Sequence, residues 1–252
     1  MSKARVKKRE MVSSRIEKRE NNMYNAKRLR RVLRIIVERG LQFGEHLQVK
    51  HTMQNPSEPA PPFKFHLCTP DLRPEARMTE SDIDELALLL RDFALAKNFA
   101  IPGIAGVPRA GTVLARRLQL FLRMKGVSIP RVTLEKDENG NCLVTHTGGY
   151  REGPVWIVDD VVNRGLTKEW VWQTLEAHDY QTEAVLAVLD YNMGAAAHLG
   201  SLGIRLHAPI AVDSVFAFAE CGMSSASTLS AEQLHLAREY LARERARLRS
   251  SR

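Results

Sequence analysis

From residue 79 onward the chain alternates short apolar runs with stretches whose apolar residues recur every three or four positions. The runs predict strands at Ile101–Val107, Ile129–Leu134, Pro154–Asp159, Ala184–Leu189 and Ile204–Pro209. The periodic stretches predict helices at Gly111–Met124, Leu166–Ala177, Ala195–Gly200 and Ser214–Glu220. Thr79-x-x-Asp82 is close to a capping box and opens another helix, with Ile83, Leu86, Leu90, Phe93 and Ala94 as its buried stripe. Ser230-Ala-Glu-Gln233 opens a last helix that runs into a basic C-terminus. Strands alternating with helices imply βαβ units and a parallel sheet, so the fold class is α/β. Ligands of such sheets bind beyond the carboxyl ends of the strands.

The first 78 residues read differently. Residues 1–22 are polar and charged, a tail or a frayed helix. Leu29, Val32, Leu33 and Ile36 then mark one face of a helix, with Gly40 where a C-cap is expected. Residues 40–78 contain Pro56, Pro59, Pro61, Pro62 and Pro70, which confine the segment to loops and short strands. Phe63 and Phe65 have the spacing of one strand face.

Charge changes this picture only at the N-terminus. The 252 residues carry a net charge of +8, but residues 1–39 hold 14 Lys and Arg against 4 Asp and Glu. The body is therefore nearly neutral, and the basic character belongs to an arm that suits polyanions, nucleic acid included, or simply a solvated tail. The length supports a sizeable core without disulfides or a structural metal. Cys68, Cys142 and Cys221 are odd in number and show no C-x-x-C spacing, which argues against a disulfide framework or a thiolate zinc site and suits a reducing cytosol. No apolar run approaches the roughly 20 residues of a membrane span, and no secretory signal is evident. The expectation is a cytoplasmic protein.

The chemistry concentrates in Val155-Trp-Ile-Val-Asp-Asp-Val-Val-Asn-Arg-Gly-Leu-Thr167. Four apolar residues make a buried strand, Asp159 and Asp160 follow at its carboxyl end, and a short loop leads into a helix. Loop and helix N–H groups with the helix dipole attract a phosphate, and Gly165 permits close approach. Asn163 and Thr167 add side-chain donors, while adjacent carboxylates accept from vicinal hydroxyls. The plain alternative is a βα turn with an acidic strand end.

This stretch resembles the ribose-phosphate signature of the type I phosphoribosyltransferases, and segments in matching order resemble the orotate phosphoribosyltransferase family in particular. Gly40–Thr52 (GLQFGEHLQVKHT) is similar to that family's hood segment and makes Lys50 its functional lysine. Pro61–Leu67 (PPFKFHL) resembles its orotate-facing stretch, placing Lys64 and Phe65 at the base. Ile104–Ala115 resembles its pyrophosphate loop, with Arg109 at a lysine position. Leu134–Gly140 resembles its mobile loop, with Lys136 as the lysine that reaches a partner's site. There are departures. Val132 and Thr133 replace an Arg-Lys pair, and Glu138 replaces a histidine. Asn163 stands where a threonine touches the base, and Tyr191 where an arginine contacts orotate.

The resemblance covers about residues 25–245. It implies a parallel sheet flanked by helices with a small N-terminal hood: a tail to residue 22, helix and hood over 23–78, the α/β core over 79–229, and a helix and basic tail over 230–252. It implies orotate phosphoribosyltransferase activity, forming orotidine 5′-monophosphate and pyrophosphate in pyrimidine biosynthesis, and a homodimer. Catalysis falls to Lys136, Arg109, Asp159 and Asp160. Phosphoribosyl pyrophosphate is bound by Lys50, Arg109, Lys136, the two acids and the turn Val161, Val162, Asn163, Arg164, Gly165, Leu166 and Thr167. The base is met by Lys64, Phe65, Asn163 and Tyr191. Mg²⁺ rides mainly on substrate oxygens and water, with Asp159 or Asp160 as the acid in reach. Transfer to another base, or a non-catalytic nucleotide-sensing or nucleic-acid-binding role on the same scaffold, stays open.

Overall fold

A computed structural model describes residues 26–44, 47, 60–68, 78–150, 152–222 and 229–250. Two long strands at its centre carry the architecture: β6 (Gly153–Val162) and β7 (Tyr180–Asp190) pair in parallel along nearly their whole length. Beside β6 lie β3 (Ile104–Gly106) and then β4 (Arg131–Lys136), both parallel. Beside β7 lie β8 (Arg205–His207) and the short β9 (Ile210–Ala211). One edge is closed by β5 (Cys142–His146), antiparallel to β4. The described sheet order is β5-β4-β3-β6-β7-β8, with β9 also on β7.

Alternation along the central strands sends side chains to both faces, and both faces are covered, as a parallel sheet requires. Trp156, Val158, Leu186 and Val188 face a core shared with α2 (Glu80–Ala96) and α3 (Ala110–Arg123), through Leu86, Leu90, Leu114 and Leu118. Val155, Ile157, Val185 and Ala187 face α4 (Leu166–Glu176) and α5 (Ala195–Ser201), through Val171, Leu175 and Leu199.

The N-terminal elements and the last two helices share the first of these cores. Helix α1 covers 26–35 and ends in a π-helical turn, Ile36–Gly40. It leads into β1 (Leu41–Phe43), which pairs antiparallel with β2 (Phe63–Phe65). This two-stranded hood is held by aromatic packing rather than by sheet continuity. The Phe63 ring stacks on Tyr191 at 5.8 Å and meets Phe216 of α6 (Val212–Glu220) edge-on at 5.1 Å. It also meets Tyr240 of α7 (Ala231–Ser250) edge-on at 6.0 Å.

Most predicted elements appear within a few residues of their expected ends. The strand β5 is a departure, because 135–150 reads as a polar loop. The chain instead turns at Asp137–Gly140 and returns as a strand, with Asp137 accepting from the Asn141 amide at 2.7 Å. The predicted strand Ile204–Pro209 narrows to β8, and β9 follows only after Ala208-Pro209. All three cysteines are free, and no helix of the described residues is long and apolar enough to cross a membrane.

The predicted cap of α2 is a full capping box. Thr79 Oγ1 accepts from the Asp82 N–H, and the Asp82 carboxylate accepts from the Thr79 N–H at 2.7 Å. Burial alone would raise the Asp82 pKa, but the Thr79 hydrogen bonds and the Arg39 guanidinium pull it below the ordinary value. That stability is therefore present above the unfolded carboxylate pKa and is lost as pH falls through the folded one. Thr79→Ala should cost about 1 kcal/mol in urea unfolding at neutral pH, and the penalty should shrink in acid as the pH falls through the lowered folded pKa. An equal penalty at both pH values would show the carboxylate plays no part.

Candidate functional site

The ten-residue strand β6 delivers Asp159 and Asp160 to the carboxyl edge of the sheet, where the neighbouring strand β3 ends at Gly106 opposite Val158. After Val162 the chain bends through 163–165 and enters α4. Gly165 sits just before the helix at φ 89°, a left-handed conformation that a side chain resists. A methyl built there would also crowd His198 Cδ2 at 3.2 Å.

The two acids are held very differently. Asp159 is 5% exposed. Its Oδ1 accepts from the Asp160 N–H at 2.9 Å, and its Oδ2 is ion-paired with Lys168 Nζ. Lys168, also 5% exposed, donates to the Val161 carbonyl at 2.6 Å. Asp160 is only partly covered, and its Oδ1 accepts from the Val161 N–H at 2.8 Å. Burial pushes the Asp160 carboxyl well above the usual range; the charge of Asp159 and a hydrogen bond with it add to this, and Lys168 opposes it.

The turn expected to face a pyrophosphate lies against this strand tip. Val107 N–H donates to the Val158 carbonyl at 2.9 Å, and Thr112 N–H returns to the Val107 carbonyl at 2.9 Å. A methyl on Gly111 would stand 2.4 Å from the Val158 oxygen and 3.1 Å from Asp159 Oδ1. Only a glycine lets α3 start so close to the acids. Arg109, exposed, caps α3 at φ 81°, ψ −103°. Such a non-glycine conformation costs about 1–3 kcal/mol and persists where the surroundings enforce it.

The structure thus brings Asp159, Asp160 and the 107–111 turn together, with the 163–167 turn following directly. Within that turn Arg164 reaches back to Glu244 of α7 at 3.1 Å, where Glu244 is 1% exposed. Lys136 stands at the end of β4, exposed, with its ammonium 5.4 Å above the Trp170 ring of α4. Val132 is fully buried in β4, and Thr133 Oγ1 accepts from Arg131. Their positions are strand positions here, while Glu138 lies in the exposed hairpin turn.

Phe65 is 5% exposed and packs its ring edge-on to Tyr191 at 5.3 Å. Tyr191 is likewise 5% exposed, and its hydroxyl accepts from the Phe65 N–H at 3.1 Å. Burial holds the Tyr191 phenol protonated, far above its ordinary pKa. Lys64 is half-buried on β2, and burial lowers its pKa. Lys50 lies outside the described residues, as do residues 1–25 of the basic arm.

Two residues at the site escaped the sequence reading. Lys168 looks like a surface helix lysine, although its place one turn into α4 behind a strand-end acid was a readable cue. Cys68 follows β2 at φ 59° with its thiol buried; that burial, then Asp160 and Asp159, raise its pKa well above the usual value. Nothing in its sequence context marks it. Among the described residues no three His, Cys, Asp or Glu side chains gather as a metal site.

The Leishmania donovani UMP synthase superposes on 85% of this chain with a TM-score of 0.67 at 18% identity. The fold is that of the type I phosphoribosyltransferases. The orotate phosphoribosyltransferase of Francisella tularensis matches over 82% of this chain and 94% of its own, with a TM-score of 0.56 at 15% identity. That of Mycobacterium tuberculosis in complex with inorganic phosphate matches over 74% and 89%, with a TM-score of 0.52 at 12% identity. The chain spans 42% of the Leishmania protein's length. No family model matches the sequence, and no curated protein does. The type I phosphoribosyltransferase fold is thus carried by architecture at identities where sequence has diverged almost completely.

The glycine at the meeting of the two turns gives a direct test. Gly111→Ala should cost about 1–3 kcal/mol, the range for overpacking. Gly200→Ala, with no atom within 4 Å of the added methyl, should be neutral or stabilising. Urea unfolding of both variants checks this, and an unperturbed Gly111→Ala protein would refute the tight approach.

Proposed function

We propose that the chain is a phosphoribosyltransferase that moves the ribose 5-phosphate of phosphoribosyl pyrophosphate to orotate, forming orotidine 5′-monophosphate and pyrophosphate. The observation that carries this reading is the acid pair at the carboxyl end of β6, flanked by the left-handed Gly165 turn into α4 and by the Arg109 turn packed on the same strand tip. Backbone N–H groups entering α4, with its dipole, suit the 5′-phosphate. The acid pair suits the ribose hydroxyls, and the Arg109 turn suits the pyrophosphate.

In the reaction a base nitrogen forms a bond to C1 of the ribose as the C1–O bond to pyrophosphate breaks, and the leaving group takes the bonding pair. Positive charge grows on the sugar and negative charge on the pyrophosphate. The protein's part is positioning and electrostatics rather than covalent chemistry. Asp160 holds the sugar hydroxyls, Arg109 faces the departing pyrophosphate, and the 163–167 turn anchors the phosphate. With Asp159 committed to Lys168, the residues fit a magnesium ion carried on substrate oxygens and water, with Asp160 as the acid in reach. It would share the charge of the leaving group. Lys136 and, by the resemblance, Lys50 would add positive charge, in a cytoplasmic homodimer.

A second reading, the same transfer to a different base, is favoured by Tyr191. Its hydroxyl is spent on the Phe65 N–H, and it offers a base no positive charge. A panel of bases incubated with phosphoribosyl pyrophosphate and Mg²⁺ separates the two. Pyrophosphate release with orotate, and not with uracil or purines, is expected; release with another base alone would establish the second reading. In calorimetry Asp160→Asn should weaken phosphoribosyl pyrophosphate binding at least about tenfold, for loss of a charge-assisted contact, at an unchanged melting temperature. Unchanged binding would sink the site assignment.

A further inference from the structure

Lys168 is a lysine buried on both its charged end and its stem, at the base of the proposed ribose-phosphate subsite. A lysine is almost never buried without a partner, and here the partners are specific. One N–H reaches Asp159 Oδ2 and another the Val161 carbonyl, so a single ammonium ties the first acid to the backbone two residues beyond it. Asp159 Oδ1 is meanwhile taken by the Asp160 N–H. Both oxygens of the first acid are occupied by the protein, and its charge is answered. Among the described residues no cation pairs with Asp160, whose carboxyl hydrogen-bonds that of Asp159 and feels Lys168 without an ion pair.

Among the described residues, three titratable groups besides the acids face this pair, while α3 meets it with Gly111. Lys168 comes from α4, the Cys68 thiol from the segment after β2, and the Tyr191 phenol from the end of β7. The thiol and the phenol are held neutral by burial, so Lys168 supplies the positive charge that balances the acids.

We propose that Lys168 is a positioning residue of the ribose subsite: it commits Asp159 to the framework of the β6 tip and leaves Asp160 as the one acid that meets the sugar. This rests on the phosphoribosyl reading above and divides its two acids into unlike roles. Asp159 fixes the backbone at 160–161, and with it the entry to the phosphate turn. Asp160 takes the hydroxyls. A ligand that donates hydroxyls, or carries its own cation, supplies what Asp160 lacks.

The test uses the full chain with ¹³C-labelled aspartate. In the wild type, phosphoribosyl pyrophosphate with Mg²⁺ should displace the Asp160 carboxyl resonance and leave that of Asp159 in place. Lys168→Met should displace the Asp159 resonance in the ligand-free protein and weaken phosphoribosyl pyrophosphate binding about 10- to 100-fold, the range for partners that orient a ligand-facing group. Lys168→Arg should restore both in part. Equal ligand-induced movement of both carboxyls in the wild type would overturn the division of roles, and this measurement needs no variant to fold. A Lys168→Met protein with the Asp159 resonance unmoved would overturn the positioning role. Absence of phosphoribosyl pyrophosphate binding by the wild type would refute the proposed function itself, with the ligand-free comparison still judging Lys168.

Discussion

A positive charge sealed beneath the tip of the central strand is the constraint around which the candidate site is arranged. Lys168 and Asp159 are both nearly inaccessible, and removing one member of such a pair leaves an uncompensated charge at a cost of about 3–5 kcal/mol. The pair joins the first turn of α4 to the end of β6, the two elements that the 163–165 turn connects. It therefore fixes the span across which residues 163–165 bend, and Gly165 supplies the conformation that closes it.

A second set of contacts bears on the same turn from outside. Arg164 is held by Glu244 of α7, and Arg247 shares that carboxylate at 2.9 Å. One residue further along α7, Arg245 donates to the Tyr191 and Asn192 carbonyls and pairs with Asp213. Tyr240 of α7 meets Phe63 of the hood. The last helix thus contacts the hood, the end of β7 and the turn at Arg164 together. A shift in any one of them is felt by the other two, because packed elements do not deform independently.

How much of this was legible follows from the range of the interactions. The β6 strand, its acids and the turn into α4 are written locally, as four apolar residues, two carboxylates and a glycine before a helical period. The capping box of α2 is equally local, and both read correctly. Apart from the resemblance, the residues showed the hood only as an aromatic pair, since its place is set by Tyr191, Phe216 and Tyr240, from 126 to 177 residues downstream of those phenylalanines. The strand β5 was missed for another reason. Its Asn139-Gly140 turn is a strong hairpin signal, but the polar residues around it and the likeness to a mobile loop outweighed that signal. Lys168 was passed over as a buried group because a helix's polar face is where a lysine ordinarily belongs, and its place behind a strand-end acid was the weaker cue.

The departures from the family pattern acquire a physical meaning from the same geometry. Val132 sits in the interior of the sheet, paired within the β3–β4 register, and a cation there would be buried without a partner. The loss of charge at that position therefore goes with a β4 strand that extends inward and is zipped to β5, its ammonium at Lys136 resting on Trp170 rather than projecting from a long loop. Tyr191 is a similar exchange. An arginine at that place would need an anion to answer it in a pocket lined by Phe63 and Phe65, whereas a tyrosine closes the hood by taking the Phe65 N–H. At both positions the residue present holds the fold. What remains polar about the tip of β6 is Asp160, the N-terminus of α4 and the turn that carries Arg109.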